Sequence, residues 1–218
     1  VRFYGQFDPP VDRYLFETFF RGRSEPGFFV ECGAFDGVFE SSCLFFEESL
    51  DWAGVNIEAS PLIFPLLVER RPNAINLNLA LSDAWGTTIF RHVSDDLHGS
   101  FLGWGSIEHQ ARQEEEIENS AMIVTEHLVE TRPWRDIAAI QSRDRVDLLV
   151  LDVEGHELAA IDGMSGATVL PDVICVEHGQ VGLQLLRDRL DAFGYDYVSS
   201  LHVNSFFVAR RAGPQPGI

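Results

Sequence analysis

Residues 28–37 read FFVECGAFDG, and twenty-one positions after Gly37 comes Glu58, inside the run GVNIEASP. A short apolar run, a glycine-bearing turn, a helix and an acid at the tip of a second apolar run are the parts of half a nucleoside-binding α/β unit. The spacing puts one carboxylate where it can accept both hydroxyls of a ribose, which present two donors about one carboxylate width apart.

The rest of the chain repeats the alternation that such a unit requires. Residues 27–32, 55–58, 74–81, 87–92, 123–130, 146–151 and 173–176 read as strands, and the run 146–151 (VDLLVL) is the most apolar of them. Helical spacing of apolar positions recurs over 11–20, 41–50, 61–71, 133–140 and 183–193, with Pro61 expected just inside the third helix and the first helix expected on the sheet edge. Residues 195–199 and 205–209 read as an antiparallel hairpin that closes the sheet. This predicts an α/β fold with one mostly parallel sheet and helices on both faces. At 218 residues the expectation is a single domain over 1–218, with a helical extension at 1–26. The unpatterned stretch 94–120, which carries three glycines and the acidic run 114–116, is expected to be a lid or substrate loop.

Net charge is −18, and all sixteen basic residues are Arg. A chain this acidic repels phosphate backbones, so nucleic acid is not the expected partner. The absence of Lys excludes a Walker-type phosphate loop and Schiff-base chemistry. No apolar run reaches the ~20 residues of a membrane helix and no secretory signal opens the sequence, so the expected compartment is the cytoplasm. The three cysteines, Cys32, Cys43 and Cys175, sit in apolar surroundings and read as buried free thiols. The sequence names no oligomeric state.

In parallel sheets ligands bind outside the carboxyl ends of the strands. Glu58, Asp152 and Glu177 each follow a strand there, together with the turn Gly33–Gly37. That turn departs from the three-glycine dinucleotide pattern, because Cys32-Gly33-Ala34-Phe35-Asp36-Gly37 supplies two glycines with an acid between them. A diphosphate would meet Asp36 as a like charge, whereas a cationic ligand would meet Glu31 and Asp36 as partners. S-adenosylmethionine, with ribose, adenine, an ammonium and a sulfonium but no phosphate, fits better than NAD. Two alternatives stay open: a NAD-dependent oxidoreductase, and a non-catalytic nucleoside-binding module with its Phe-rich segments as an interaction surface.

The segments FVECGAFDG, NIEASP, LALSDAWG (79–86), DLLVLDVEGHE (147–157) and ICVEHG (174–179) together resemble the FkbM-type methyltransferases. The resemblance spans about residues 28–210. It implies the Rossmann-like class I methyltransferase fold and methyl transfer from S-adenosylmethionine to a hydroxyl of a small molecule, such as a sugar or secondary metabolite. Carried onto this sequence, it implies Glu31, Gly33, Ala34, Asp36 and Gly37 near the methionine part. It puts Glu58 and Ala59 at the ribose, Ser82 and Asp83 near adenine, and Asp152 beside the methionine moiety or the acceptor.

An aliphatic hydroxyl must lose its proton during transfer, which calls for a base or an acidifying metal. His156, after Gly155 and near Glu154, is the first candidate base, with Asp152 and Glu154 beside it. His178 and His109 are weaker candidates, and His92, His98, His127 and His202 read as structural or surface residues. Asp152, Glu154, Glu177 and His178 would suit Mg²⁺, Ca²⁺ or Mn²⁺ better than zinc if a divalent metal were used.

Overall fold

The computed structural model describes residues 2–95, 105–107, 111–120 and 122–210. Its main sheet is built from β1 (Phe28–Cys32), β2 (Ala53–Ile57), β3 (Ile75–Leu77), β7 (Val146–Leu151), β8 (Pro171–Glu177), β9 (Tyr195–Leu201) and β10 (Asn204–Ala209), in the spatial order β3-β2-β1-β7-β8-β10-β9. The first five neighbours run parallel, and β10 is antiparallel to both β8 and β9. A small second sheet holds β4 (Ala80–Leu81), β5 (Gly86–Ser94) and β6 (Ile123–Arg132), with β6 in the middle.

Both faces of the main sheet are apolar, as burial under two helical layers requires. Alternation sends Leu149 and Leu151 of β7 to one face and Leu148 and Val150 to the other. The first face packs on α5 (Ala138–Gln141), α6 (Glu157–Asp162) and α7 (Leu183–Ala192) through Ile140, Ile161, Leu186 and Leu190. The second packs on α1 (Val11–Leu15), the π-helical turn Phe16–Phe20 and α2 (Leu44–Leu50) through Leu15, Phe20, Phe45 and Phe46. The N-terminal helix therefore covers a face of the sheet and not its edge, because Val11 and Leu15 share one apolar cluster with Phe29 of β1, Leu148 of β7 and Phe206 of β10.

Several element boundaries differ from the sequence reading for local reasons. The helix expected from residue 41 begins at Leu44, since Ser41 and Ser42 turn back onto the Glu31 carboxylate. In α3 (Phe64–Arg70) the residue in the first turn is Pro65, not Pro61. The strand expected over 74–81 splits in two: Asn78 donates its side-chain amide to the Glu58 carbonyl at 2.8 Å, and the chain leaves the main sheet there for the second one. Residues 133–140 break at Ile137 into a 3₁₀ turn (Trp134–Asp136) and α5. Within 94–120, the described part includes α4 (Ala111–Asn119), so that stretch is not without pattern. No helix among the described residues is long and apolar enough to cross a membrane.

Candidate active site

Register sets the site. Cys32 pairs with Ile57 on one side and Leu151 on the other, and Leu151 pairs with Val176. The next residue on each strand is Glu58, Gly33, Asp152 and Glu177, so these four stand in a row across the tips of β2, β1, β7 and β8. Strand order reverses between β1 and β7, which opens a crevice at that row. A cavity of about 700 Å³ occupies it, and Gly33, Glu58, Asp152 and Glu177 all line it.

Gly33 has φ +81°, and a Cβ there would overlap the carbonyl oxygen of Asp152. Only glycine fits between the tips of β1 and β7. Gly37, at φ +79°, lies against Arg71 and Leu67. The turn between them is fixed from behind. Its Gly33 and Ala34 N–H groups donate to the Ile57 carbonyl at 3.0 and 3.1 Å. Phe35, at φ +49°, donates its N–H to Glu58 Oε2 at 2.9 Å.

Glu58 is 6% exposed and also accepts the Ser60 N–H through Oε1 at 2.7 Å. Each oxygen keeps a second lone pair for a ligand hydroxyl. Burial pushes its pKa up to about 7, against the pull of those backbone donors.

The acids flanking the turn serve the turn itself. Glu31 accepts Ser41 Oγ and the Ser42 and Cys43 N–H groups, and pairs with Arg71 at 3.4 Å. Arg71 is fully buried, donating also to Glu47 at 2.6 Å and to the Gly37 carbonyl at 2.9 Å. Asp36 caps the Val38 and Phe39 N–H groups and pairs with Arg70. Glu31, Ala34, Asp36 and Gly37 are not among the residues lining the cavity. The sequence reading turned Glu31 and Asp36 toward a cationic ligand; in the structure both carboxylates hold backbone N–H groups and arginines.

On the other side of Gly33 the carboxylates do face the cavity. Asp152, Glu154, Glu177 and Glu40 line it, and no Arg does among the described residues. Burial, then the neighbouring carboxylates, raise the carboxyls of Asp152 and Glu177 well above the usual range. Glu177 Oε2 is buried without a hydrogen-bond partner among the described residues. The loop after Asp152 is closed by Glu157, whose Oε1 accepts the Val153 and Gly155 N–H groups, both at 3.1 Å. This holds Glu154 in a left-handed conformation, φ +52°. His156 lines the cavity and its Nε2 shares a 3.1 Å hydrogen bond with Ser82 Oγ.

Ala59 lines the cavity beside Glu58, but Ser82 and Asp83 do not. Ser82 Oγ is engaged with His156 and Asp83. His178 shares a 2.9 Å hydrogen bond with Ser205 and does not line the cavity. Among the described residues, no group of three or more His, Cys, Asp or Glu side chains is arranged to hold a metal ion, so the set Asp152, Glu154, Glu177 and His178 does not form a ligand cluster. His109 and His98 lie outside the described residues. His92, read from sequence as structural or surface, is a cavity residue: 2% exposed, on β5, with Nδ1 3.1 Å from Ser60 Oγ. Phe90 lines the cavity too. The alternation of β5 carried this signal, since residues 90 and 92 share a face.

A parallel sheet with this strand order and an antiparallel final pair is the sheet of the class I methyltransferases. The model of the methyltransferase FkbM domain matches residues 31–197, and the chain belongs to that family of S-adenosylmethionine-dependent methyltransferases. Among solved structures it is similar to a methyltransferase FkbM from Methylobacillus flagellatus KT, with 14% identity and a TM-score of 0.49 over 90% of this chain and 50% of that one. A TehB-like SAM-dependent methyltransferase from Corynebacterium glutamicum gives 8% identity and a TM-score of 0.46 over 92% of this chain and 88% of that one. The chain thus spans about half the length of the Methylobacillus protein. No curated protein matches the sequence.

Proposed function

We propose that this domain transfers a methyl group from S-adenosylmethionine to a hydroxyl of a small molecule. The observation that carries the reading is Glu58: one buried carboxylate both lines the cavity and pins the turn that follows β1. The residues suit the cofactor. Glu58 offers two lone pairs to a ribose diol, Gly33 lets the tips of β1 and β7 approach at the crevice, and the carboxylates beyond it suit a cation. Among the described residues no Arg lines the cavity, which disfavours a diphosphate and with it the oxidoreductase alternative. The same acidic lining, with the net charge of −18, supports a small acceptor over a nucleic acid.

When bound, the cofactor supplies an electrophilic methyl carbon on a sulfonium leaving group. The chain then positions two substrates and moves one proton. Asp152 takes the proton of the acceptor hydroxyl at its carboxylate oxygen, with Glu177 beside it to share the charge change. His156, the first candidate from the sequence, is tied through Nε2 to Ser82 Oγ at 3.1 Å and shapes the adjoining wall with Glu154.

The test is calorimetric titration of the folded protein with S-adenosylhomocysteine. The reading expects saturable binding by the wild type and a loss of about a hundredfold in Glu58→Gln, which replaces an acceptor by an amide donor. Absence of binding to the wild type, or unchanged affinity in the variant, overturns it.

A further inference from the structure

The wall of the cavity next to Glu58 is apolar except for one pair. Ile63, Leu79, Leu81 and Phe90 line it, and between them stand Ser60 and His92. His92 is 2% exposed, and its Nε2 is buried with no hydrogen-bond partner among the described residues. Buried polar atoms in folded proteins are paired almost without exception, so an orphan beside a ligand cavity calls for a partner. Ser60 Oγ has His92 Nδ1 as its sole partner among the described residues. A hydroxyl in that position donates, because accepting instead would leave its own hydrogen without an acceptor. With Nδ1 accepting, a neutral ring carries its proton on Nε2 and is a donor there.

We infer that His92, held by Ser60, reads the edge of the nucleobase by donating its Nε2–H to a ring nitrogen of adenine. This rests on the reading of Glu58 as the ribose ligand. A base joined to a ribose gripped by Glu58 lies within reach of Ser60, two residues along the same wall, and a flat ring with polar edges matches two apolar sides and one donor. Of the alternative pair Ser82 and Asp83, Ser82 Oγ is engaged with His156 and with Asp83 Oδ1, and neither residue lines the cavity. The groups that face His92 agree with a neutral ring: burial and the nearby His127 lower its pKa, and the Ser60 hydroxyl adds no charge. The pair also joins the two sheets, since Ser60 follows β2 and His92 belongs to β5. A purely structural role would leave base recognition unaffected.

The experiment compares S-adenosylhomocysteine with its 1-deaza, 3-deaza and 7-deaza analogues by calorimetry, on wild type and on His92→Phe. In each analogue one ring nitrogen becomes C–H and can accept nothing. The inference expects one analogue to bind the wild type about three- to tenfold more weakly than the parent, and that difference to vanish in the variant. The wild-type series stands even where His92→Phe does not fold. If all three analogues bind the wild type like the parent, or the variant keeps the same discrimination, His92 does not read the base. If the parent itself fails to bind the wild type, the nucleoside reading falls first and this inference with it.

Discussion

Glu58 accepts the backbone N–H of Phe35 at 2.9 Å, so the carboxylate at the tip of β2 is also the strut of the turn that follows β1. Ligand grip and turn geometry are therefore one structural unit. Its other oxygen holds the Ser60 N–H, which leads on to His92. A change at Glu58 is expected to be felt along the whole wall from the turn to the second sheet.

That coupling makes cofactor binding pH-dependent. Ribose hydroxyls donate to the ionised form of Glu58, whereas burial holds its pKa near 7 in the ligand-free protein. Binding then requires a proton to leave whenever the pH lies below about 7. Affinity for S-adenosylhomocysteine is expected to fall as pH drops from 8 to 5.5. Calorimetry across that range checks it, and Glu58→Gln is expected to flatten this component.

The unliganded protein is expected to be more stable at pH 6 than at pH 8.5. Burial raises the carboxyls of Glu58, Asp152 and Glu177 above their unfolded values. The folded chain therefore binds more protons than the unfolded chain between the ordinary carboxylate range and these raised values. Stability falls as pH rises through that window. Thermal denaturation at the two pH values reads the sign, and Glu177→Gln is expected to reduce the difference.

Gly33→Ala is expected to unfold the turn. Its Cβ would overlap the Asp152 carbonyl, and φ of +81° is strained for any residue with a side chain. A loss of more than about 3 kcal/mol is expected in denaturant unfolding, or no soluble protein at all.

Arg71→Leu removes a buried cation from behind the turn. Glu31 and Glu47 would keep their charges without the guanidinium that faces both. Breaking a buried pair from one side costs about 3–5 kcal/mol. Denaturant unfolding checks the loss, and Glu31→Gln in the same background is expected to recover part of it.

How much of this was legible in the sequence depends on what each residue had to satisfy. Strand β7 was readable to the residue because both of its faces are buried and nothing else yields six consecutive apolar-dominated positions followed by an acid. The placement of the turn and of Glu58 at the strand tips was readable because their spacing is set by one helix and one strand. The hydrogen-bond partners of Glu31 and Asp36 were not readable: an acid that caps backbone N–H groups looks the same in sequence as one that meets a ligand. The partner Arg71 lies forty residues from Glu31. The second sheet was hidden for a similar reason, since Asn78 diverts the chain through a side-chain bond to the Glu58 carbonyl. The pairing of His92 with Ser60 was hidden because the two lie thirty-two residues apart.

The most direct measurement is a crystal structure of the protein with S-adenosylhomocysteine. The account predicts both ribose hydroxyls within hydrogen-bond distance of the Glu58 carboxylate, with the homocysteine sulfur over the tips of β1 and β7. A ribose held elsewhere, with Glu58 still bonded to Phe35 and Ser60 alone, would contradict it.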